Sequence, residues 1–175
     1  LIPMLQNAGA IVFTPRERDW QQQEIIVDNN DRRSISYIEV DNSKKWKDCD
    51  SLGFANAKTL YSDGENPFTM GTVRQTKATK KKKKYSLVSY QPKFKEAGKY
   101  AVYVSYQTLP KSVPDAKYIV YHKGQATEFT VNQRMGGGTW VYLGTFDFDK
   151  GCNEFNRVVC TNQASKRGVV TTDAV

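Results

Sequence analysis

Between residues 98 and 175 the chain alternates apolar and polar side chains in short runs broken by glycine, and this rhythm constrains the fold more than any other feature. In the run 98–106, Tyr100, Val102, Val104 and Tyr106 share one face, while Ala101, Tyr103 and Ser105 share the other. Runs at 117–122, 127–133, 139–148 and 155–160 follow, separated by Lys123-Gly124, Met135-Gly-Gly-Gly138 and Asp149-Lys-Gly151. A period of two is the signature of a strand with one buried face, and many such strands bury those faces only by stacking two sheets. With further runs at 35–40, 85–90 and 168–175, the pattern predicts an all-β sandwich of about eight strands, of jelly-roll or galactose-binding-like layout. Residues 46–71, rich in Asp, Asn, Ser and Gly, read as a long irregular connection that is a functional loop or carries short structure of its own.

A length of 175 residues allows one domain with a fragment attached, large enough to hold its core without disulfides or metal. Ten tyrosines and three tryptophans supply the rings that fill such a core. The net charge of +8 is unevenly placed, since six basic residues fall within 77–84. That run reads either as an anion-binding arm or as a solvated hairpin end or edge whose lysines discourage sheet-to-sheet association, and the second reading is preferred here. No aromatic residue interleaves with the lysines to stack bases, so nucleic acid is not an expected partner. Cys49, Cys152 and Cys160 have neither the number nor the spacing of a disulfide framework or a zinc ribbon. No apolar run approaches the ~20 residues of a membrane-spanning helix, so membrane insertion is not expected, and the run at the start is not a signal peptide.

Residues 1–31 follow a different rhythm. The stretch 1–9 suits the end of a helix closing on Gly9, and 10–14 is a short apolar strand followed by a charged loop. Residues 20–27 fit a short helix or strand, and the polar cluster 28–31 marks a boundary. The expected organisation is a flanking α/β fragment over 1–31 and a β-sandwich over 34–175. A start at Leu1-Ile-Pro-Met, with no initiator methionine, reads as a piece of a longer protein.

Ser89-Tyr-Gln-Pro92, Ala97-Gly-Lys-Tyr-Ala-Val-Tyr-Val104, Ala116-Lys-Tyr118, His122-Lys-Gly124, Thr130-Val-Asn-Gln133, Gly138-Thr-Trp-Val-Tyr-Leu-Gly144 and Asp173-Ala-Val175 occur in that order. Together they resemble the golvesin/xanthan lyase C-terminal-like domain, with Tyr90 in place of a tryptophan and Gln125 in place of a glycine. In the N-terminal segment, Gly9-Ala-Ile-Val-Phe-Thr-Pro-Arg16 and Asp19 are similar to a stretch of zinc-dependent N-acetylmuramoyl-L-alanine amidases, apart from the inserted Pro15. The two resemblances imply a golvesin-like module inserted in an amidase-like host, in a secreted, periplasmic or cell-envelope protein.

Catalysis by the chain itself is not expected. An amidase zinc site takes two histidines and a carboxylate, whereas the single histidine here, His122, sits beside a predicted hairpin turn and suits a structural role. Asp147 and Asp149 read as outward acids of a half-buried strand rather than an acid/base pair. Gly136-Gly-Gly138 precedes a strand, not a helix, and reads as a hairpin connection rather than a phosphate cradle. No catalytic residue, metal ligand or cofactor is assigned.

Sugar binding needs a flat ring for the apolar face of a pyranose and polar side chains for its hydroxyls. The candidates are Trp140, with Asn132, Gln133 and Arg134 beside the glycine turn, and Trp46 and Tyr61 on the long connection. Alternation places Trp140 with Tyr142, Phe146 and Phe148 on a core face, so packing competes with a ligand role for it. The expected function is that of a non-catalytic accessory module of an envelope or polysaccharide-active enzyme, with carbohydrate or peptidoglycan as ligand and the host catalytic domain as partner. The alternative is a structural domain that packs on an amidase-like host and shapes access to its active site.

Overall fold

The computed structural model describes residues 24–32, 34–56 and 64–175. Over these it is the expected all-β sandwich, built from ten strands rather than about eight. They are β1 (Tyr37–Val40), β2 (Lys47–Gly53), β3 (Gly71–Lys77), β4 (Leu87–Tyr90), β5 (Gly98–Val104), β6 (Ala116–His122), β7 (Gln125–Val131), β8 (Val141–Phe148), β9 (Arg157–Thr161) and β10 (Val169–Thr172). One layer is a five-stranded antiparallel sheet of order β1-β4-β9-β6-β7. The other combines a three-stranded unit, β10-β3-β2, with the β5-β8 ribbon. The two units meet where Ser105 N–H donates to Ala174 O at 2.8 Å and Asp173 N–H donates to Ser105 O at 3.0 Å.

Strands β2 and β3 fall within or beside the stretch read as irregular. In β2, Lys47, Asp48, Asp50 and Leu52 are exposed, because this edge strand pairs on one side only and buries little besides Gly53. A strand of that kind carries no alternating apolar signal. The glycine run also departs from expectation, because it crosses from β7 in one layer to β8 in the other instead of closing a hairpin. Gly136 and Gly138 take φ of 75° and 70°, and a Cβ on Gly137 would lie 2.2 Å from the backbone nitrogen of Thr108. Only glycine tolerates these positive φ values and that approach together. The true hairpin is β6-β7, whose turn puts Lys123 and Gly124 at φ 49° and 76°.

The core lies between the layers. Tyr37, Val88, Tyr90, Tyr118, Val120, Val158 and Cys160 from the five-stranded sheet meet Val102, Val104, Phe148 and Val170 from the other layer. Each large apolar side chain buried this way stabilises the fold by roughly 2–3 kcal/mol. Cys160 is buried and free, and Cys49 and Cys152 are free as well. Buried amides take over where ladder bonds stop. Gln133 donates to Thr171 O at 2.7 Å and accepts from Thr171 N–H at 3.0 Å, which copies a strand pairing with a side chain.

At the N-terminal side, Val27 and Val175 exchange backbone hydrogen bonds of 2.9 Å, and Asn29 N–H reaches Asp173 O at 3.0 Å. Residues 27–29, which the sequence grouped with the flank, are thus an extra ladder on the last strand. The helix and strand expected within residues 1–23 lie outside the described residues. The alternating strand directions bring loop segments 41–46, 78–86, 109–115, 132–134 and 162–168 to one end of the sandwich, while the β4-β5, β6-β7 and β8-β9 connections lie at the other.

Candidate functional site

The outer face of the β5-β8 ribbon carries an exposed pair of aromatic rings. Tyr103 and Tyr142 lie opposite each other across the ladder, with centroids 5.2 Å apart and 44% and 54% of their surface exposed. This corrects the expectation that Tyr142 shares the core face with Phe146 and Phe148. The register steps from Val102↔Gly144 to Tyr103↔Tyr142, which leaves Leu143 as an extra residue on β8. Such a bulge reverses the facing of everything before it. Phe148 remains buried while Tyr142 turns outward, its hydroxyl 2.8 Å from Thr145 Oγ1. On the same face, Ala101 lies opposite Thr145 and Lys99 opposite Asp147. Two rings above a small alanine, flanked by a hydroxyl, an amine and a carboxylate, form a platform with both apolar and hydrogen-bonding character.

Beside this platform is a cleft of about 770 Å³. It exists because β5 stays in register with the C-terminal strand only near Ser105 and parts from it below, opening the layer between β5 and Val175. Ala101, Tyr103, Thr145 and Trp140 line the platform side, and Glu24, Ile25 and Ile26 line the opposite side. Phe94, Tyr100 and Phe148 form the inner wall, with Phe94 and Phe148 stacked at 4.7 Å. Arg157 also reaches the cleft, its guanidinium 4.9 Å from the Tyr121 ring centre, and its Nε has no hydrogen-bond partner among the described residues. An apolar cleft with a few convergent polar groups is the usual form of a small-ligand site.

The sequence candidates are dispersed. Trp140 is half-buried in a cluster with Phe54 at 4.9 Å and Phe68 at 5.7 Å, at the rim of the cleft rather than on the inter-sheet face. Trp46 is 4% exposed within the core, so its ring offers no face to a ligand. Gln133 is fully buried and committed to Thr171, and the same reasoning removes it. Asn132 is exposed but accepts from Arg134 N–H at 3.1 Å, closing its own turn. Arg134 sits at the loop end of the sandwich, away from the platform. Tyr61 lies outside the described residues. Alternation set Tyr103 on the face opposite Tyr100, Val102 and Val104, but it placed its partner Tyr142 on the core face.

Groups that could do acid, base or metal chemistry are separated. His122 Nε2 lies 2.9 Å from Thr127 Oγ1 and the ring packs 4.7 Å from Phe146. Asp147 and Asp149 are both exposed. No group of three metal-ligating side chains is found among the described residues. The most perturbed carboxyl, Asp173, is pushed up to about 7 by burial, despite bonds from Phe54 N–H and Ser105 Oγ and with Asp28 nearby adding to the rise. It is fully buried, so it serves the fold and not a substrate.

An acid whose folded pKa lies above its unfolded value near 3.9 binds its proton more tightly in the native state. Its contribution is therefore fully present below about pH 4 and is lost as pH rises through about 7. Urea titrations across that window should show a falling contribution to stability, on the order of a few kcal/mol in all. Asp173→Asn should flatten the slope, and an unchanged slope would assign it to other groups.

A family model, the golvesin C-terminal domain, matches residues 64–175. Among solved structures, a Paenibacillus xanthan lyase superposes with a TM-score of 0.61 at 22% identity, over 86% of this chain and 12% of that one. At that identity the likeness concerns the fold. None of the curated proteins searched matches the chain in sequence.

Proposed function

Because the chain belongs to the golvesin C-terminal domain family, we propose that it is a non-catalytic accessory module that recognises carbohydrate for a longer, envelope or polysaccharide-active enzyme. The observation that carries this reading is the outward Tyr103–Tyr142 pair beside the cleft. A pyranose ring lays its apolar C–H face on such rings, while Thr145, Lys99 and Asp147 stand within the same face to meet its hydroxyls. Binding of this kind is weak, and its use is to hold a polymer near a catalytic partner at raised local concentration. The fold match supports the setting, since the matched protein is a xanthan lyase in which the similar part is a small fraction of the chain. An amidase-like flank and a location outside the cytoplasm belong to the same proposal.

Retention on insoluble peptidoglycan and neutral polysaccharides at physiological salt tests it. The Tyr103→Ala/Tyr142→Ala double variant should lose roughly tenfold to a hundredfold in affinity, given up to about 1.5 kcal/mol for each ring stack. Both side chains are exposed, so the melting temperature should hardly move. Equal retention of wild type and variant would remove the platform from the reading. The structural alternative draws on Ile38 and Val40 of edge strand β1, which are 43% and 47% exposed. It predicts no retention on any polysaccharide and a specific complex with the host's catalytic domain.

A further inference from the structure

The five loops at one end of the sandwich carry eleven basic and two acidic residues, a net charge of +9 where the whole chain has +8. All eleven cations are exposed, and none enters any of the four ion pairs formed among the described residues. The lysines of 80–84 do not guard a sheet edge, because their loop joins β3 and β4, both of which are flanked by strands on either side. The edge-protection reading of this run therefore fails. Hydrogen bonds fasten the loops to one another. Asn162 donates to Ser43 Oγ and Lys77 O and accepts from Ser86 N–H, Ala78 N–H reaches Gly168 O, and Asp115 accepts from Ser165 N–H. Like charges held together on a rigid end repel one another and destabilise the folded state unless something anionic offsets them.

Within this end is an open notch of about 770 Å³ whose lining includes Lys111, Arg134 and Arg167 and no acidic residue. Arg134 is aimed, since its Nε donates to Ser112 O at 3.2 Å and leaves the terminal nitrogens of the guanidinium for a ligand. That is the fork that grips a carboxylate or a sulfate or phosphate ester.

We propose that this end is a second binding surface, for a linear acidic polysaccharide, with the Lys111–Arg134–Arg167 notch gripping single acidic groups and the 80–84 lysines following the charged chain. Nucleic acid fits less well, because the lysine run has a single ring beside it, the half-buried Tyr85, and the other rings near these loops are committed. Trp46 and Tyr106 are buried, and Trp140 packs on Phe54 and Phe68. The surface is distinct from the tyrosine platform and stands or falls independently of it.

The test uses fluorescent oligogalacturonate, neutral dextran of matched length, a single-stranded oligonucleotide and phosphatidylserine vesicles, with binding read by anisotropy or sedimentation. Oligogalacturonate should bind and dextran should not, and raising salt from about 0.05 M to about 0.3 M should weaken binding about tenfold or more. Replacing all five lysines of 80–84 with serine, or making Lys111→Gln/Arg134→Gln/Arg167→Gln, should each cost about tenfold or more. The five-serine variant should melt higher than wild type at low salt, which confirms that it is folded. Tyr103→Ala/Tyr142→Ala should leave oligogalacturonate binding intact. Absence of oligogalacturonate binding at low salt, or binding indifferent to both sets of substitutions, would overturn the proposal. Tighter binding to the oligonucleotide or the vesicles would replace it with a nucleic-acid or a membrane surface.

Discussion

Replacing Asp173 with alanine should destabilise the domain by about 3 kcal/mol or more. Its carboxylate accepts from Phe54 N–H at 2.8 Å, Ser105 Oγ at 3.2 Å and Asn29 Nδ2 at 3.3 Å. Those donors come from the end of β2, the end of β5 and the N-terminal ladder, so one side chain closes three segments on the last strand. Alanine leaves the donors buried, and each orphaned buried group costs about 1–3 kcal/mol. The burial that raises the Asp173 pKa offsets part of this loss, because the native carboxyl is itself poorly solvated. A urea midpoint shifted down at constant slope is the expected result. A shift of only a few tenths of a kcal/mol would mean that the three segments find other partners.

The second large effect belongs to Arg74. Its Nε and Nη2 fork onto Glu39 at 2.6 and 2.8 Å, and its Nη1 reaches Asp48 at 2.8 Å. Arg74 lies on β3 and Glu39 on β1, so the pair clips one layer to the other with a side chain only 9% exposed. Removing one partner strands the other, and Arg74→Ala should cost about 2–4 kcal/mol, less than a fully buried pair because Glu39 and Asp48 keep some solvent contact. Arg74→Lys should recover little, since an ammonium cannot form the two-pronged contact. Burial alone would raise the Glu39 pKa, but the Arg74 and Tyr37 hydrogen bonds outweigh it and hold the carboxyl below its ordinary value. Its contribution is therefore present above the unfolded carboxylate range and lost as pH falls below it, the reverse of Asp173. The Arg74→Ala penalty should shrink in acid. A penalty independent of pH would point to lost packing of the guanidinium stem.

The fold was legible wherever strands bury one face. β5 and β6 show their alternation directly, and the sandwich follows from them. β2 was illegible because an exposed edge strand made of Lys47, Asp48 and Asp50 looks like a loop. The site was half legible for a related reason. Alternation separated Tyr103 from the face of Tyr100, Val102 and Val104, but it runs through β8 without detecting the extra residue at Leu143, and so turned Tyr142 inward. Trp46 was ambiguous because a tryptophan beside lysines and aspartates reads equally as a ligand platform and as a core ring; burial decides it. Gln133 looked like a hydroxyl-binding amide, yet it completes the backbone pairing of Thr171. The lysine run was visible as charge, while its meeting with Arg134 and Arg167 depends on loops far apart in sequence.

The central claim is that the β5-β8 outer face meets a glycan, and backbone amide NMR tests it most directly. The labelled domain is titrated with soluble muropeptides and with neutral oligosaccharides, and the perturbed amides are mapped. The account predicts perturbations at Ala101, Tyr103, Tyr142 and Thr145, together with the cleft residues Tyr100 and Trp140. Titrations that leave these amides unmoved across the panel would contradict it.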